Sequence, residues 1–194
     1  QPRLAFPVQD YLSPAYLSAY RQALETAKNL GLIAGLYDDY NWNSGHAAGR
    51  TVQGCDWLRE RQLFWSSAEV NEGTATCNIS HIRAILGEGL GEAGAQWSYS
   101  GGKPLWGEWR LFKALAYPPH QDNLDPFQVL DITPFCHISQ ADSHGCQVLA
   151  QVPASFPTNL RLTAFVSACC ETSRLINYLL PEAAQRFIQI GYEP

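Results

Sequence analysis

Methionine is absent from the 194 residues, and charge is scarce: Lys, Arg, Asp and Glu make up only 16% of the chain, against about 25% in an average soluble domain. No basic run occurs, and Lys+Arg 13 against Asp+Glu 18 leave a net charge of −5. Such a chain lacks the electrostatic footprint of a nucleic-acid binder, so no nucleic acid is expected as a partner. No apolar stretch approaches the ~20 residues that cross a bilayer, and the first residues do not read as a signal peptide, so no membrane is expected either. The six cysteines include no Cys-x-x-Cys pair, which argues against structural zinc; they read as buried free thiols. Also missing are a Gly-x-Ser-x-Gly elbow, a His-Glu-x-x-His pair and a Gly-x-Gly-x-x-Gly loop after a strand. The lack of methionine, with Gln1 as first residue, suggests an excised piece of a longer protein.

What is present is 46% apolar and 12% aromatic, ample for a hydrophobic core in one domain or two small ones. The length falls short of the ~250 residues of a complete (β/α)₈ barrel. Ser13-Pro14 reads as an N-cap with proline at the first helical position. Tyr16, Leu17, Tyr20, Ala23, Leu24, Ala27 and Leu30 follow at helical spacing, and Gly31 supplies a left-handed stop. The apolar run Leu32 to Tyr37 then reads as a parallel strand buried on both faces. Asp56 to Val70 reads as a further helix.

From about Asn71 the pattern changes to antiparallel strands. Cys77 to Ile85 alternates with period two. Leu105 to Tyr117, Gln128 to Thr133, Cys146 to Val152 and Leu160 to Ala168 are further strands, separated by Pro/Asp/Asn/Gly turns. Asn78-Ile79-Ser80 matches the glycosylation sequon. His137 and His144, with Asp142 between them, read as exposed turn residues. The tail Pro181 to Ile188 starts a helix with proline in its first turn and an acidic neighbour.

The fold class expected is α+β or α/β: βα units, which the family resemblance given next implies to be partial and TIM-barrel-like, interrupted by an inserted antiparallel, sandwich-like β segment. The divisions are 1–70 for the first barrel-like units, 71–170 for the β-rich insertion and 171–194 for the return to a barrel-like helix.

The run Tyr37-Asp38-Asp39-Tyr40-Asn41-Trp42-Asn43-Ser44-Gly45-His46-Ala47-Ala48-Gly49-Arg50, behind the helix from Ser13, resembles the start of the catalytic barrel in glycoside hydrolases related to the α-L-rhamnosidases. The tail Asn177-Tyr178-Leu179-Leu180-Pro181-Glu182-Ala183-Ala184-Gln185-Arg186-Phe187-Ile188 is similar to a later block of that group. The resemblance covers both ends and leaves the β-rich middle unmatched. Asp39 stands where the family usually has glutamate, and Asn43 where it usually has proline. It implies a carbohydrate substrate, a fragment whose further partner is the remainder of the parent polypeptide, and calcium as the one cofactor the family suggests; otherwise no cofactor and no metal site are expected.

Glycoside hydrolysis needs two carboxyl groups, about 5–5.5 Å apart for retention and about 6.5–9.5 Å for inversion. Asp38 and Asp39 are the catalytic candidates, one at most, because neighbours on an extended backbone point to opposite sides. Trp42 and Tyr40 offer aromatic faces to a sugar ring. Asn41, Asn43, His46 and, from the loop before the first helix, Asp10 offer hydrogen bonds to hydroxyls. The chain alone is expected to be inactive. The alternative is a non-catalytic carbohydrate-binding or interaction module whose face carries Trp97, Trp106 and Trp109.

Overall fold

The structure is a computed structural model that describes residues 10–35, 45–80, 95–96, 98–119 and 125–191. The chain divides into two compact units, Gln1–Arg59 with Ser173–Pro194, and Glu60–Thr172.

The Glu60–Thr172 unit is two antiparallel sheets. Its strands are β1 (Arg61–Glu69), β2 (Thr74–Ser80), β3 (Trp106–Tyr117), β4 (Leu130–Asp131), β5 (Cys136–Asp142), β6 (Gly145–Gln151) and β7 (Arg161–Cys170). One sheet has the order β1-β7-β3-β4 and the other β2-β6-β5. Alternation builds the core between them: Ala75, Cys77 and Ile79 of β2 and Cys146, Val148 and Ala150 of β6 face Ala114, Ala116, Leu162, Ala164 and Val166 of β3 and β7. These are small or β-branched side chains, which fit a pleated surface that must approach another closely. Phe64 of β1 closes one side, edge-on to Trp106 at 4.9 Å and tilted against Trp109 at 5.3 Å.

The other unit holds α1 (Pro14–Asn29) and α2 (Pro181–Gly191). Ser13 caps α1 by accepting from the Tyr16 amide at 3.2 Å, and Gly31 leaves the helix with φ +69°.

The expected α/β class with TIM-barrel-like units is overturned. Among the described residues every strand pair is antiparallel, and every named strand lies in the β unit. Residues 32–35 of the expected parallel strand are not in a sheet, and Ile33 is 100% exposed; residues 36–37 lie outside the described residues. An apolar run becomes a buried parallel strand only if neighbours pair with it on both sides, and 32–35 have none. The expected helix over 56–70 is likewise corrected. It is one 3₁₀ turn at Asp56–Leu58 followed by β1, which pairs with β7 over nine positions from Arg61↔Cys169 to Glu69↔Arg161.

Candidate functional site

Six of the eight predicted site residues, Asp38, Asp39, Tyr40, Asn41, Trp42 and Asn43, lie outside the described residues, as does Trp97. The other two, Asp10 and His46, flank one small core. Asp10 is exposed in the turn before α1, where its carbonyl accepts from Ser13 N at 3.1 Å. Its neighbour Tyr11 is buried against Ala47 and Ala48, with Tyr16, Phe187 and Ile190 around them. His46, 1% exposed, opens the 45–51 loop, and its carbonyl accepts from Gly49 N at 2.8 Å.

This loop follows the predicted carbohydrate cluster directly, and its backbone is unusual. Gly45 (φ +97°), Ala47 (+47°), Ala48 (+57°) and Gly49 (+89°) all have positive φ. Left-handed alanines cost on the order of 1–3 kcal/mol each and persist only where the surroundings over-determine them. Those surroundings are identifiable. Thr51 Oγ1 donates to Gly45 O at 2.8 Å. Arg50 donates to Tyr11 O and lies 5.8 Å from the centre of the Tyr11 ring. Arg186 of α2 donates through Nε to Thr51 O and through Nη2 to Gln53 O, each at 2.8 Å. A Cβ on Gly45 would meet Ile176 Cδ1 at 3.0 Å, and one on Gly49 would meet Arg174 Cγ at 3.0 Å. The 45–53 segment and the C-terminal helix therefore interlock. Arg186 holds the loop from outside it, and the helical spacing of the tail gave no sign of that role.

In the β unit, four thiols are held away from activation. Burial, above all else, pushes Cys136, Cys146 and Cys170 up to about 11, and raises Cys77 as well. A thiol so shifted is protonated at neutral pH and is a poor nucleophile or metal ligand. Tyr99 is raised by burial first and by Glu60 second, so it serves as a neutral core residue. Among the described residues no three His, Cys, Asp or Glu side chains group to hold a metal ion, and no helix is long and apolar enough to cross a membrane.

The tryptophan face expected of a binding module is not where the sequence put it. Trp106 is 1% exposed in the core. A register shift between Gly107 and Arg110 lets Trp106 and Trp109, three apart, both turn to Phe64. The outward aromatic is Trp65 of β1, 66% exposed and directly opposite Phe165 of β7. Exposed Phe112 lies in the adjoining β3, at a second register shift. Beside them Thr163 Oγ1 hydrogen-bonds Ser67 Oγ at 2.7 Å and Tyr117 Oη at 2.8 Å. Comparison with family models, with curated proteins and with solved structures finds no match to this chain.

Proposed function

We propose that the chain is part of a glycoside hydrolase that cleaves O-glycosidic bonds by two-carboxylate acid–base catalysis. In this reading residues 38–46 contribute one carboxylate, Asp38 or Asp39, and hydrogen bonds from Asn41, Asn43 and His46. Trp42 and Tyr40 stack on the sugar, and the second carboxylate comes from the rest of the parent polypeptide. The observation that carries the reading is the meeting of the two resembling blocks at Phe187, packed near Ala47 and Ala48, with Arg186 bonded to Thr51 and Gln53 just beyond the first block. The braced segment follows the candidate carboxylates in sequence, and a catalytic constellation needs its members held to within about 0.5 Å. The need for further polypeptide is supported by apolar surface left open in the same unit: Leu24, Leu30, Leu32, Ile33 and Leu179 are all exposed.

The test is turnover of aryl glycosides, α-L-rhamnosides included, by this chain and by the complete product of its gene. The chain alone should give none. In the complete protein, Asp38→Asn or Asp39→Asn, but not both, should cut kcat by about 10²–10⁴-fold. Robust turnover by the chain alone, or wild-type turnover in both variants, overturns the proposal.

A second reading, a carbohydrate-binding module without chemistry, is favoured by exposed Trp65 opposite half-buried Phe165. Flat aromatic surface stacks on sugar rings, and exposed aromatic patches mark interaction sites. Here Trp65→Ala should abolish saturable sugar binding while Asp38→Asn leaves it intact; the opposite pattern excludes this reading.

A further inference from the structure

The outer face of the β2-β6-β5 sheet carries a different chemistry. Strand register sets Asn78 of β2 opposite Gln147 of β6, and Gln147 opposite Gln140 of β5. Three carboxamides thus form one row across two strand spacings, about 10 Å. Simple alternation would not give this row. Ile138 packs toward the core, so Gln140, two residues on, would turn inward with it. The register shift between Ile138 and Gln140 adds one residue, Ser139, and restores Gln140 to the outer face. Bulges that re-aim a side chain in this way concentrate next to functional sites.

The row lines an open cleft of about 300 Å³, with Ser80, Asp142 and His144 at its end. That volume is at the lower end of small-molecule sites, which run to about 300–1,000 Å³. Among the described residues the lining has no lysine or arginine and one carboxylate. Asp142 Oδ1 is already used, accepting from His144 N at 2.7 Å and Gly145 N at 3.0 Å, which fixes the β5–β6 turn. No hydrogen bond engages the Asn78, Gln140 or Gln147 amides among the described residues. Each carboxamide offers both a donor and an acceptor, the match for a ligand whose every hydroxyl also does both. Among the described lining residues an anion would meet the Asp142 carboxylate and no lysine or arginine, and an apolar ligand would strand the amides.

We propose that this cleft binds a neutral saccharide through the Asn78–Gln147–Gln140 amide row. The proposal rests on the carbohydrate reading above for its ligand class, but it lies on the sheet that does not carry Trp65, in the unit that does not include residues 38–46. Trp109 is a built-in reporter, because its Nε1 donates to Asp142 O at 2.8 Å.

The experiment probes the intact 194-residue chain with a printed array of neutral hexose, pentose and deoxyhexose oligosaccharides and of oligogalacturonates. The best neutral binder is then titrated by tryptophan fluorescence. Neutral members should be retained and the galacturonates not. Gln147→Leu should raise Kd about tenfold or more, as expected for loss of one or two hydrogen bonds. The exposed substitutions Asn78→Ala and Gln140→Ala should each weaken binding severalfold and guard against a folding defect at half-buried Gln147. Asp38→Asn, Asp39→Asn and Trp65→Ala should leave Kd within twofold. Binding lost in Trp65→Ala or the Asp38 and Asp39 variants but kept in the amide variants overturns this cleft while leaving the carbohydrate reading standing. Retention of no neutral glycan overturns it outright, whereas absence of turnover in the complete protein defeats only the hydrolase reading.

Discussion

The Arg186 guanidinium donates to the carbonyl of Thr51 at 2.8 Å, across 135 positions of sequence. A second bond from the same group reaches Gln53 O, also at 2.8 Å. Both acceptors are backbone carbonyls, so what the arginine fixes is the path of the chain after the left-handed 45–49 segment and not a side-chain rotamer.

Removing that guanidinium leaves two carbonyls and a strained loop without their brace. Arg186→Ala should destabilise the unit by about 2–3 kcal/mol, since hydrogen bonds from charged groups contribute about 1.5–3 kcal/mol each and one of these is exposed. Lysine cannot reproduce the two-nitrogen fork, so Arg186→Lys should recover less than half. Urea unfolding gives the magnitude, and limited proteolysis should show new cleavage within 45–53. Wild-type stability and protease resistance in Arg186→Ala would show that the loop is held by its other partners.

The sandwich rests on β7, which pairs with β1 on one side and β3 on the other. Leu162 is fully buried on it between the sheets. Leu162→Ala should cost about 2–5 kcal/mol through lost transfer energy and the cavity left behind. Phe112→Ala, on exposed surface, should stay within about 0.5 kcal/mol. Equal losses in the two variants, read from denaturant midpoints at unchanged m-value, would mean that the Phe112 face is packed in solution.

Capped and strongly patterned elements were legible in the sequence. Ser13-Pro14 and Gly31 bound α1, and β2, β6 and β7 have clean period-two burial or a continuous apolar run. Where two periods fit equally, the local signal failed. Trp57, Leu58, Phe64 and Trp65 satisfy a helical spacing, yet from Arg61 onward nine-residue pairing with β7 decides in favour of strand. β5 escaped notice because its outer face is polar and its bulge breaks alternation. Between Gln128 and Thr133 only Leu130–Asp131 pair with β3, because Pro126 and Pro134 place 3₁₀ turns on either side. Of the candidate site, the sequence marked a polar and aromatic cluster ending at His46, but the arginine that braces the 45–53 segment comes from the other end of the chain and is set by tertiary structure alone.

The raised thiols give stability a definite pH dependence. Folding holds Cys136, Cys146 and Cys170 near 11, above the about 8.5 of an exposed cysteine. A raised pKa contributes stability that is fully present below the unfolded value and lost as pH rises through the folded one. Thermal midpoints should therefore fall between about pH 8.5 and 11, and Cys146→Ser should flatten part of that decline. With a thiol reagent at pH 8, half-buried Cys55 should react well before fully buried Cys77 and Cys170. A rate ordering with Cys170 first would contradict the burial.

Acid acts through a different group. Lys113 Nζ lies 2.6 Å from Asp131 Oδ2, and Thr133 donates to Oδ1 from both its backbone N at 3.0 Å and its hydroxyl at 2.6 Å. The lysine hydrogen bond first, then those from Thr133, hold the Asp131 carboxyl down at about 2. A depressed pKa contributes stability present above the unfolded value of about 3.9 and lost as pH falls through the folded one. The affected window is thus about pH 4 to 2, and because the pair is exposed the effect should be small and screened by salt. Asp131→Asn should remove this component of acid sensitivity at low ionic strength; an unaltered slope of the urea midpoint against pH in that window would show that the pair is not formed.

Two glycines separate backbone strain from steric crowding. Gly31 has φ +69° and nothing within 4 Å of where a Cβ would stand, whereas Gly45 has φ +97° and would place that Cβ 3.0 Å from Ile176 Cδ1. Gly31→Ala should therefore cost only the left-handed penalty, about 1 kcal/mol. Gly45→Ala adds a contact that Ile176, itself buried beside Val52 and Leu58, has little room to relieve, so the loss should reach about 2–3 kcal/mol. Ile176→Val shortens the obstructing side chain by its Cδ1. The double variant Gly45→Ala/Ile176→Val should recover part of the loss beyond additivity, by about 0.5 kcal/mol or more in a double-mutant cycle. Strict additivity, or an equal cost at Gly31 and Gly45, would mean that the loop moves away from Ile176 and that its conformation is not fixed there.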